Sequence, residues 1–345
     1  MNFVTIKKIP TAEEIIQQFP LSEDGLRRVS RHRQEVKDIL AGKDERKLVI
    51  LGPCSAWPYD AVMEYARRLK RLSEKVNDKL KLVLRLYIQK PRTKKGWTGP
   101  VNRPDPFLPA DIEAGIKYCR SLMVNCVEMG LPIADEALFT HNAKGFLEML
   151  SWVAIGARSV EDQEHRIFAS SIECAVGMKN STTGEIEPAV NGIVAAQSKH
   201  MAVFLGYQVE TLGNKHAHLV LRGGLGGPNY DLEHLRQAKE LMDKNEVDNP
   251  AVIIDCSHDN CRLNGDKDYR RQMAVASEAL DSLSDQPELK KLVKGFMLES
   301  FIQGGNQNAD KLTSETINRD GLSITDPCLS WEDTEKLILE MSKKV

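Results

Sequence analysis

Cationic side chains recur at or just after short apolar segments along this chain of 345 residues. They are Arg85, Lys90, Arg158, Lys179 and Arg222. Arginine presents a planar fork that fits phosphate and carboxylate groups, and lysine presents a movable point charge. If the fold brings these side chains together, they would bind a small metabolite that carries both groups. Ion pairs at strand ends explain one or two such cations, and that reading stays open for each of them taken alone.

A second set of side chains could hold a metal ion. It consists of Cys54, His258, Glu299 and Asp326. A thiolate, an imidazole and two carboxylates suit Mn²⁺, Fe²⁺, Co²⁺ or Zn²⁺ and suit Mg²⁺ or Ca²⁺ poorly. With an open coordination position, such an ion could polarise a carbonyl oxygen as a Lewis acid. Their spacing forms no local motif, so a hydrogen-bonded histidine and a packed cysteine remain the alternative.

The apolar segments that must position these side chains alternate with amphipathic ones. Eight of them have the composition of strands: KLVILG from Lys47, LKLVLRLYI from Leu80, PIAD from Pro132, WVAIGA from Trp152, ECAVGM from Glu173, HLVLRG from His218, AVIID from Ala251 and GFMLE from Gly295. Helix-like patterns lie between most of them. Eight strand-then-helix units predict an α/β fold with a closed (β/α)8 TIM barrel rather than an open doubly wound sheet.

Active sites of such barrels lie at the carboxyl ends of the strands. The reactive side chains fall at those ends, strand by strand: Cys54, then Arg85 with Lys90, Glu136, Arg158, Lys179, Arg222, His258 and Glu299. Charged residues often flank strands as solvated loop positions. A reactive residue after every predicted strand instead favours one shared site.

The segment before the first predicted strand has two helical patterns, one that Thr11 can cap and one from Glu23 to Leu40. We therefore divide the chain into an N-terminal extension at residues 1–45, an oligomerisation or regulatory arm, and a catalytic barrel at residues 46–345. Because an apolar arm on a barrel often serves an interface, we expect a homo-oligomer, either a dimer or a tetramer.

Composition narrows the classes of partner. The chain carries 47 basic and 49 acidic side chains, for a net charge of -2, so no basic excess favours nucleic acid. It has no apolar run of membrane-spanning length and no secretory pattern at its start, which predicts a cytoplasmic protein that binds no membrane. Its 7 cysteines are an odd number without paired C-x-x-C spacing, so we interpret them as thiols. The RGGLGGPN turn after Arg222 is not the dinucleotide-binding G-x-G-x-x-G, and neither a P-loop nor a nucleophile elbow occurs.

Eight short motifs resemble those of the type I 3-deoxy-D-arabino-heptulosonate 7-phosphate (DAHP) synthases. In chain order they are GPCS at 52–55, KPRT at 90–93, GAR at 156–158, GMKN at 177–180, LRGG at 221–224, DCSH at 255–258, ES at 299–300 with GNQ at 305–307, and SITD at 323–326. Each string alone is short. Together, in order and over nearly the whole chain, they are highly specific.

The resemblance implies a metal-dependent condensation of phosphoenolpyruvate with erythrose 4-phosphate to DAHP and phosphate, the first step of the shikimate pathway of aromatic amino acid biosynthesis. It implies a metal site at Cys54, His258, Glu299 and Asp326. The implied phosphoenolpyruvate site comprises Arg85, Lys90, Glu136, Gly156, Ala157, Arg158, Lys179 and Arg222. The implied aldose phosphate site comprises Lys90, Pro91, Arg92 and Thr93. Lys90 and His258 are the expected catalytic residues, with Lys90 as the proton donor to the aldehyde oxygen.

Departures from the family pattern keep other functions open. Gln89 stands where relatives usually have Glu, and Asp135-Glu136-Ala137 replaces a Gly-Glu-Phe pattern, so a paralogue that uses another aldose phosphate is one alternative. The related eight-carbon sugar-acid synthase, which uses arabinose 5-phosphate, usually has a Lys-Ala-Asn-Arg-Ser loop where this chain reads KPRT. A catalytically silent barrel that binds a phosphorylated metabolite is the other alternative, and the intact metal ligands argue against it.

The segments that form the aromatic amino acid inhibitor site in regulated relatives also differ. The stretch FLGYQVETLGNKHAH is shorter and lacks their Thr-Lys-Trp-Gly-His string, and Glu173 replaces a small polar residue. Whether phenylalanine, tyrosine or tryptophan inhibits this protein stays open.

Overall fold

A computed structural model describes residues 1–92, 96–138, 144–263 and 266–345. The strands in these ranges are β1 (Lys47–Gly52), β2 (Leu80–Arg85), β3 (Ile133–Ala137), β4 (Leu150–Ile155), β5 (Ala175–Lys179), β6 (Met201–Phe204), β7 (Tyr207–Glu210), β8 (Ala217–Leu221), β9 (Val252–Asp255), β10 (Arg262–Leu263), β11 (Asp266–Lys267) and β12 (Val293–Glu299). Eight of them close a barrel in the order β1-β12-β9-β8-β5-β4-β3-β2, with all neighbours parallel. The predicted (β/α)8 barrel is confirmed, and each barrel strand overlaps one of the eight predicted segments.

Helices surround the barrel. They are α1 (Ala12–Gln18), α2 (Glu23–Leu40), α3 (Tyr59–Val76), α4 (Ile112–Glu128), α5 (Gln163–Ser171), α6 (Glu187–Gln197), α7 (Leu232–Lys244), α8 (Arg271–Ser282), α9 (Pro287–Leu292) and α10 (Trp331–Lys344). Short side chains cap several of their first turns. Asp111 accepts from the Ala114 amide at the start of α4, and Ser330 accepts from the Asp333 amide at the start of α10. In the described part of the chain, no helix has both the length and the apolar character to cross a membrane.

Successive side chains of the barrel strands enter two different hydrophobic clusters, because the side chains of a strand point alternately to its two faces. On β1, Val49 and Leu51 belong to the cluster that includes the surrounding helices, whereas Leu48 and Ile50 belong to the cluster that includes Trp152. The second cluster fills the inside of the barrel. An inward-pointing side chain at the carboxyl end of a strand therefore faces the space beyond this apolar cluster.

Helix α2 packs against the inner cluster. Its side chains Val36, Ile39 and Leu40 join Leu48 and Ile50 in that cluster, and all of them are fully buried. The helix thus covers the end of the barrel opposite the carboxyl ends of the strands. Residues 1–9 are exposed, in contrast. The division of the chain at residue 45 and the role of the arm stay predictions.

The stretch between α6 and β8 contains an antiparallel hairpin that the sequence analysis did not anticipate. Strands β6 and β7 pair Phe204 with Tyr207 and Met201 with Glu210. Leu205 and Gly206 at the turn both have positive φ, at 49° and 86°, as a two-residue type I′ turn requires. The Leu-Gly pair between alternating segments was the signal that could have revealed it.

Candidate active site

A cavity of about 430 Å³ opens at the carboxyl ends of the barrel strands. Its lining is Lys90, Pro91, Arg92, Glu136, Ala157, Arg158, Lys179, Thr182, Arg222, His258, Lys267 and Asp326. Eight of the eleven predicted substrate-binding residues thus line one cavity. Gly156 and Arg85 are buried next to it, and the predicted contact Thr93 lies outside the described residues.

Three of the four predicted metal ligands lie together. One ligand atom each from Cys54, Glu299 and Asp326 fall within 4.8 Å of one another, and Cys54 Sγ donates to Asp326 Oδ2 at 3.3 Å. A sulfur and two carboxylates form a donor set that suits a divalent transition ion. His258 is not part of this close group, although it lines the same cavity.

The hydrogen bonds of His258 determine which of its nitrogens is available. Ser257 Oγ donates its one proton to Asp255 Oδ1 at 2.6 Å, so it can only accept from His258 Nδ1 at 2.7 Å. His258 Nδ1 also lies 2.9 Å from Asp255 Oδ2. Nδ1 therefore carries a proton, and Nε2 is the nitrogen left for an ion to bind. His258 holds this orientation with a left-handed backbone, at φ 55°.

Burial and neighbouring charges shift the pKa of two of the three close ligands. Burial, reinforced by Glu299, raises the pKa of the Cys54 thiol to about 12. Burial alone would also raise the pKa of Asp326, but Lys90 and His258 outweigh it and hold that pKa at about 2. A metal ion takes cysteine as thiolate and releases its proton, so binding at this site would depend on pH.

Lys90 connects the three ligands with the cavity. Its Nζ donates to Cys54 Sγ at 3.0 Å and to the Cys54 carbonyl at 2.8 Å, and the side chain is buried. Burial favours the neutral amine, yet Cys54 and Glu299 outweigh it and raise the pKa of Lys90 above its ordinary value. Lys90 is therefore an ammonium group with a proton to donate next to the candidate ion site.

Arg85 is held from two sides. Its Nη2 lies 2.8 Å from Glu299 Oε1, and its Cζ lies 3.9 Å from the centroid of the Tyr87 ring. Among the described residues, Nε and Nη1 of this buried side chain have no hydrogen-bond partner. Two buried donors in this position suit an anion. Tyr87 was not predicted, because its role depends on the ring reaching back over the strand.

Two acids that sequence reasoning missed orient the predicted cations. Asp255 Oδ2 lies 3.2 Å from Lys179 Nζ, and Asp259 Oδ2 lies 2.6 Å from Arg222 Nη1. Burial would raise the pKa of Asp255, but His258 and Lys179 hold it well below its ordinary value. The inward position of Asp255 at the end of β9 was a usable signal, whereas the fold of the following loop places Asp259.

Gly156 has a steric role. A Cβ at this position would overlap Oε1 of Glu136, so only glycine lets the buried Glu136 carboxylate lie against this strand end. Ala157 lines the cavity directly, and Arg158 and Arg92 present exposed side chains at its mouth. The cavity therefore has exposed arginines at its mouth, and buried cations lie with the Glu136 carboxylate deeper inside.

Comparison with known proteins agrees with this arrangement. Residues 18–339 match the model of the DAHP synthetase I family. The chain is 40% identical to the Tyr-sensitive phospho-2-dehydro-3-deoxyheptonate aldolase of Salmonella typhimurium, over 96% of this chain and 92% of that protein. It is 35% identical to the phospho-2-dehydro-3-deoxyheptonate aldolase of Corynebacterium glutamicum, over 99% of this chain and 93% of that one.

A solved structure gives the same result for the fold. The phospho-2-dehydro-3-deoxyheptonate aldolase of Francisella tularensis superposes with a TM-score of 0.92 at 34% identity, covering 100% of this chain and 98% of that chain. The family match, the identities and the superposition extend over nearly the whole length. The chain belongs to the DAHP synthetase I family.

Proposed function

We propose that this protein condenses phosphoenolpyruvate with erythrose 4-phosphate to DAHP and phosphate, in a metal-dependent reaction that is the first step of the shikimate pathway. The observation that carries the proposal is a cavity in which cations for two phosphorylated substrates meet a thiol and two carboxylates within 4.8 Å of one another. The names of its relatives as phospho-2-dehydro-3-deoxyheptonate aldolases support the same reaction.

Cys54, Glu299 and Asp326 would hold the metal ion, with Nε2 of His258 as the fourth ligand. The donor chemistry suits Mn²⁺, Fe²⁺, Co²⁺ or Zn²⁺. When bound, the ion would supply Lewis-acid polarisation of the aldehyde oxygen. Asp255 and Ser257 hold His258 through Nδ1, which leaves Nε2 for ligation.

Phosphoenolpyruvate would lie across the inner part of the cavity. Arg158, Lys179 and Arg222 would bind its phosphate, and Arg85 and Lys90 would lie near its carboxylate. The unpartnered Nε and Nη1 of Arg85 support this placement, since the Glu299 carboxylate occupies only its Nη2. Charge-assisted hydrogen bonds of this kind both bind the substrate and orient it.

The aldose phosphate would lie nearer the mouth, where Lys90, Pro91, Arg92 and Thr93 form its proposed site. C3 of phosphoenolpyruvate attacks the aldehyde carbon while the Lys90 ammonium donates a proton to the aldehyde oxygen. Water then adds at C2, oriented by the Glu136 carboxylate, which accepts the proton that the water loses. The C2–O bond to phosphate breaks, which leaves the C2 carbonyl of DAHP and inorganic phosphate.

The experiment follows phosphoenolpyruvate consumption with erythrose 4-phosphate and, in parallel, with arabinose 5-phosphate. Each assay is run with added Mn²⁺ and with a chelator. Consumption with the four-carbon aldose alone, lost on chelation and restored by metal, is the expected result. Consumption with the five-carbon aldose would support the paralogue instead. Tight phosphoenolpyruvate binding without turnover under any condition would support the silent barrel.

We also propose that the protein works in the cytoplasm as a homo-oligomer, a dimer or a tetramer, through its N-terminal arm. Phe3, Val4 and Ile6 on this arm are exposed, which is unfavourable for apolar side chains that no other chain covers. Light scattering at micromolar concentration should give a mass of two or four chains. A monomer would contradict the proposal.

A further inference from the structure

Asp135 on β3 is a buried acid that the proposed reaction does not use. Its side chain is 7% exposed. Its Oδ1 accepts a hydrogen bond from the Glu136 amide at 2.8 Å and another from the Ile88 amide at 3.2 Å. One carboxyl oxygen thereby joins the backbone of β3 to the segment that follows β2.

The Ile88 contact continues the pairing of β2 with β3 past the end of the strand. The Leu84 amide donates to the Pro132 carbonyl at 2.9 Å, and the Leu86 amide donates to the Ala134 carbonyl at 2.7 Å. In this alternation the next amide is that of Ile88, and it donates to the side chain of Asp135 instead of a backbone carbonyl. Asp135 thus supplies the last bond of the ladder where the two backbones separate.

Ile88, whose amide donates this last bond, lies two residues before Lys90. The segment has other anchors: the Ala56 amide donates to the Tyr87 carbonyl at 3.0 Å, and the Lys90 amide donates to the Thr98 carbonyl at 3.0 Å. Two bonds tie the segment to β3, that of the Leu86 amide to Ala134 and that of the Ile88 amide to Asp135, and the second lies nearer to Lys90. The same oxygen holds the amide of Glu136, so it sets the backbone of Glu136 and Lys90 relative to each other.

We propose that Asp135 is a positioning residue, which holds the backbone of residues 86–92 so that Lys90 and Arg92 meet the aldose phosphate. The proposal rests on the proposed function for its kinetic part. What matters is the acceptor oxygen, not the negative charge. Burial raises the pKa of Asp135 to about 8, so near neutral pH the group largely presents an uncharged carboxyl, which asparagine imitates.

The test compares Asp135→Ala with Asp135→Asn by steady-state kinetics. We expect Asp135→Ala to raise the KM for the aldose phosphate and lower kcat, each by about tenfold, as the loss of a buried hydrogen-bond acceptor allows. Asp135→Asn keeps the acceptor and should stay within about threefold of the parent chain on both constants.

Asn214→Ala is the matched control for loss of a buried polar side chain. Asn214 Nδ2 donates to the carbonyls of Ala169, Ile172 and Cys174, outside the cavity lining. This variant should lose thermal stability and keep both kinetic constants within about twofold. Parent-like kinetics for Asp135→Ala, or equal losses for Asp135→Ala and Asp135→Asn, would overturn the proposal.

Hydrogen exchange on the substrate-free protein tests the positioning role of Asp135 separately from the proposed function. Asp135→Ala should increase exchange in peptides that cover 86–92 and leave those that cover β4 unchanged, whereas Asp135→Asn should leave both near parent values. If the parent chain turns over no aldose at all, the proposed function fails while this measurement still decides whether Asp135 holds the segment. Unchanged exchange in Asp135→Ala would show that it does not.

Discussion

The two ends of the barrel both bury charged side chains, but only one end leaves them facing open space. At the amino end, Lys81 Nζ lies 2.9 Å from His32 Nδ1 and pairs with Glu35, and both partners belong to α2, which covers Lys81. At the carboxyl end, Lys179 and Arg222 have acid partners and still line a cavity of about 430 Å³. Access to a cavity, rather than buried charge as such, distinguishes the candidate active site.

The titration behaviour of the two ends differs in the same way. At the amino end, the hydrogen bond from His32 lowers the pKa of Glu35 to about 2, with Lys81 adding to it. Burial lowers the pKa of both His32 and Lys81. These groups pair with one another, as expected of a structural cluster, although His32 Nε2 has no hydrogen-bond partner among the described residues. At the carboxyl end, burial raises the pKa of the Cys54 thiol to about 12. The thiol therefore keeps its proton near neutral pH unless a cation binds the sulfur.

The largest effect should follow from removing the thiol at the carboxyl end. Cys54→Ala takes away one of the three close ligands, so we expect metal-dependent turnover to fall by about a thousandfold or more. Metal analysis of the purified variant should show reduced metal content, and thermal unfolding should show a retained fold. Turnover that survives this change would remove the proposed metal site and with it the contrast between the two ends.

Cys126→Ala is the matched control for loss of a buried thiol. Cys126 is fully buried on α4, outside the cavity lining, with Met63 as its sulfur contact. Its replacement should cost about 1 kcal/mol of stability and leave turnover within twofold of the parent chain. Equal kinetic losses in the two variants would mean that cysteine burial, and not ligation, explains the result.

A buried histidine inside the barrel should make stability fall on acidification. Trp152 Nε1 donates to His218 Nε2 at 3.1 Å, and His218 Nδ1 lies 2.9 Å from the His216 carbonyl, so the ring is neutral. Burial lowers the pKa of His218 to about 4, from an ordinary value of 6.5. Between these values the unfolded chain binds a proton that the folded chain excludes, so the contribution is complete above pH 6.5 and is lost as the pH falls.

This prediction is checked by chemical denaturation at pH 7.5 and pH 5. His218 should account for about 2 kcal/mol of the stability lost between them. The loss should shrink by that amount in His218→Gln and stay unchanged in His234→Gln, whose side chain is 38% exposed. An unchanged pH dependence in His218→Gln would assign the acid sensitivity to other groups, of which His32 is the first candidate.

Much of the difference between the two ends of the barrel could be predicted from the sequence. The eight strands were predictable because apolar runs and turn residues are local signals, and the residues after them were predictable because all strands of a parallel barrel end on one side. The pairing of Lys179 with Asp255 was not, since partners from different strands meet only in the closed barrel. The packing of α2 over the amino end of the barrel was not predictable either, because an amphipathic helix can pack against many apolar surfaces.

A substitution at the mouth of the cavity should change different kinetic constants from one in its interior. Arg92 is exposed and lines the cavity, so Arg92→Ala should raise the KM for the aldose phosphate by about tenfold, the value of one charge-assisted contact to phosphate. The KM for phosphoenolpyruvate and kcat should change by less than about threefold. Arg92→Lys should recover part of the loss. A shift mainly in the phosphoenolpyruvate KM would reverse the assignment of the two substrates.

The smallest effect should follow from a change at the amino end, and it tests the comparison most directly. Glu35→Gln leaves Lys81 without its carboxylate, but the Glu35 side chain is 29% exposed, so we expect a loss of only about 1 kcal/mol in the free energy of unfolding. Glu64→Gln removes an exposed partner of Arg68 and should cost less than about 0.5 kcal/mol. Both variants should keep kcat/KM within about twofold, because neither residue touches the cavity. A tenfold loss of kcat/KM in Glu35→Gln would connect the covered end of the barrel to the chemistry at the open one, and access to a cavity would then no longer separate structural charge from catalytic charge.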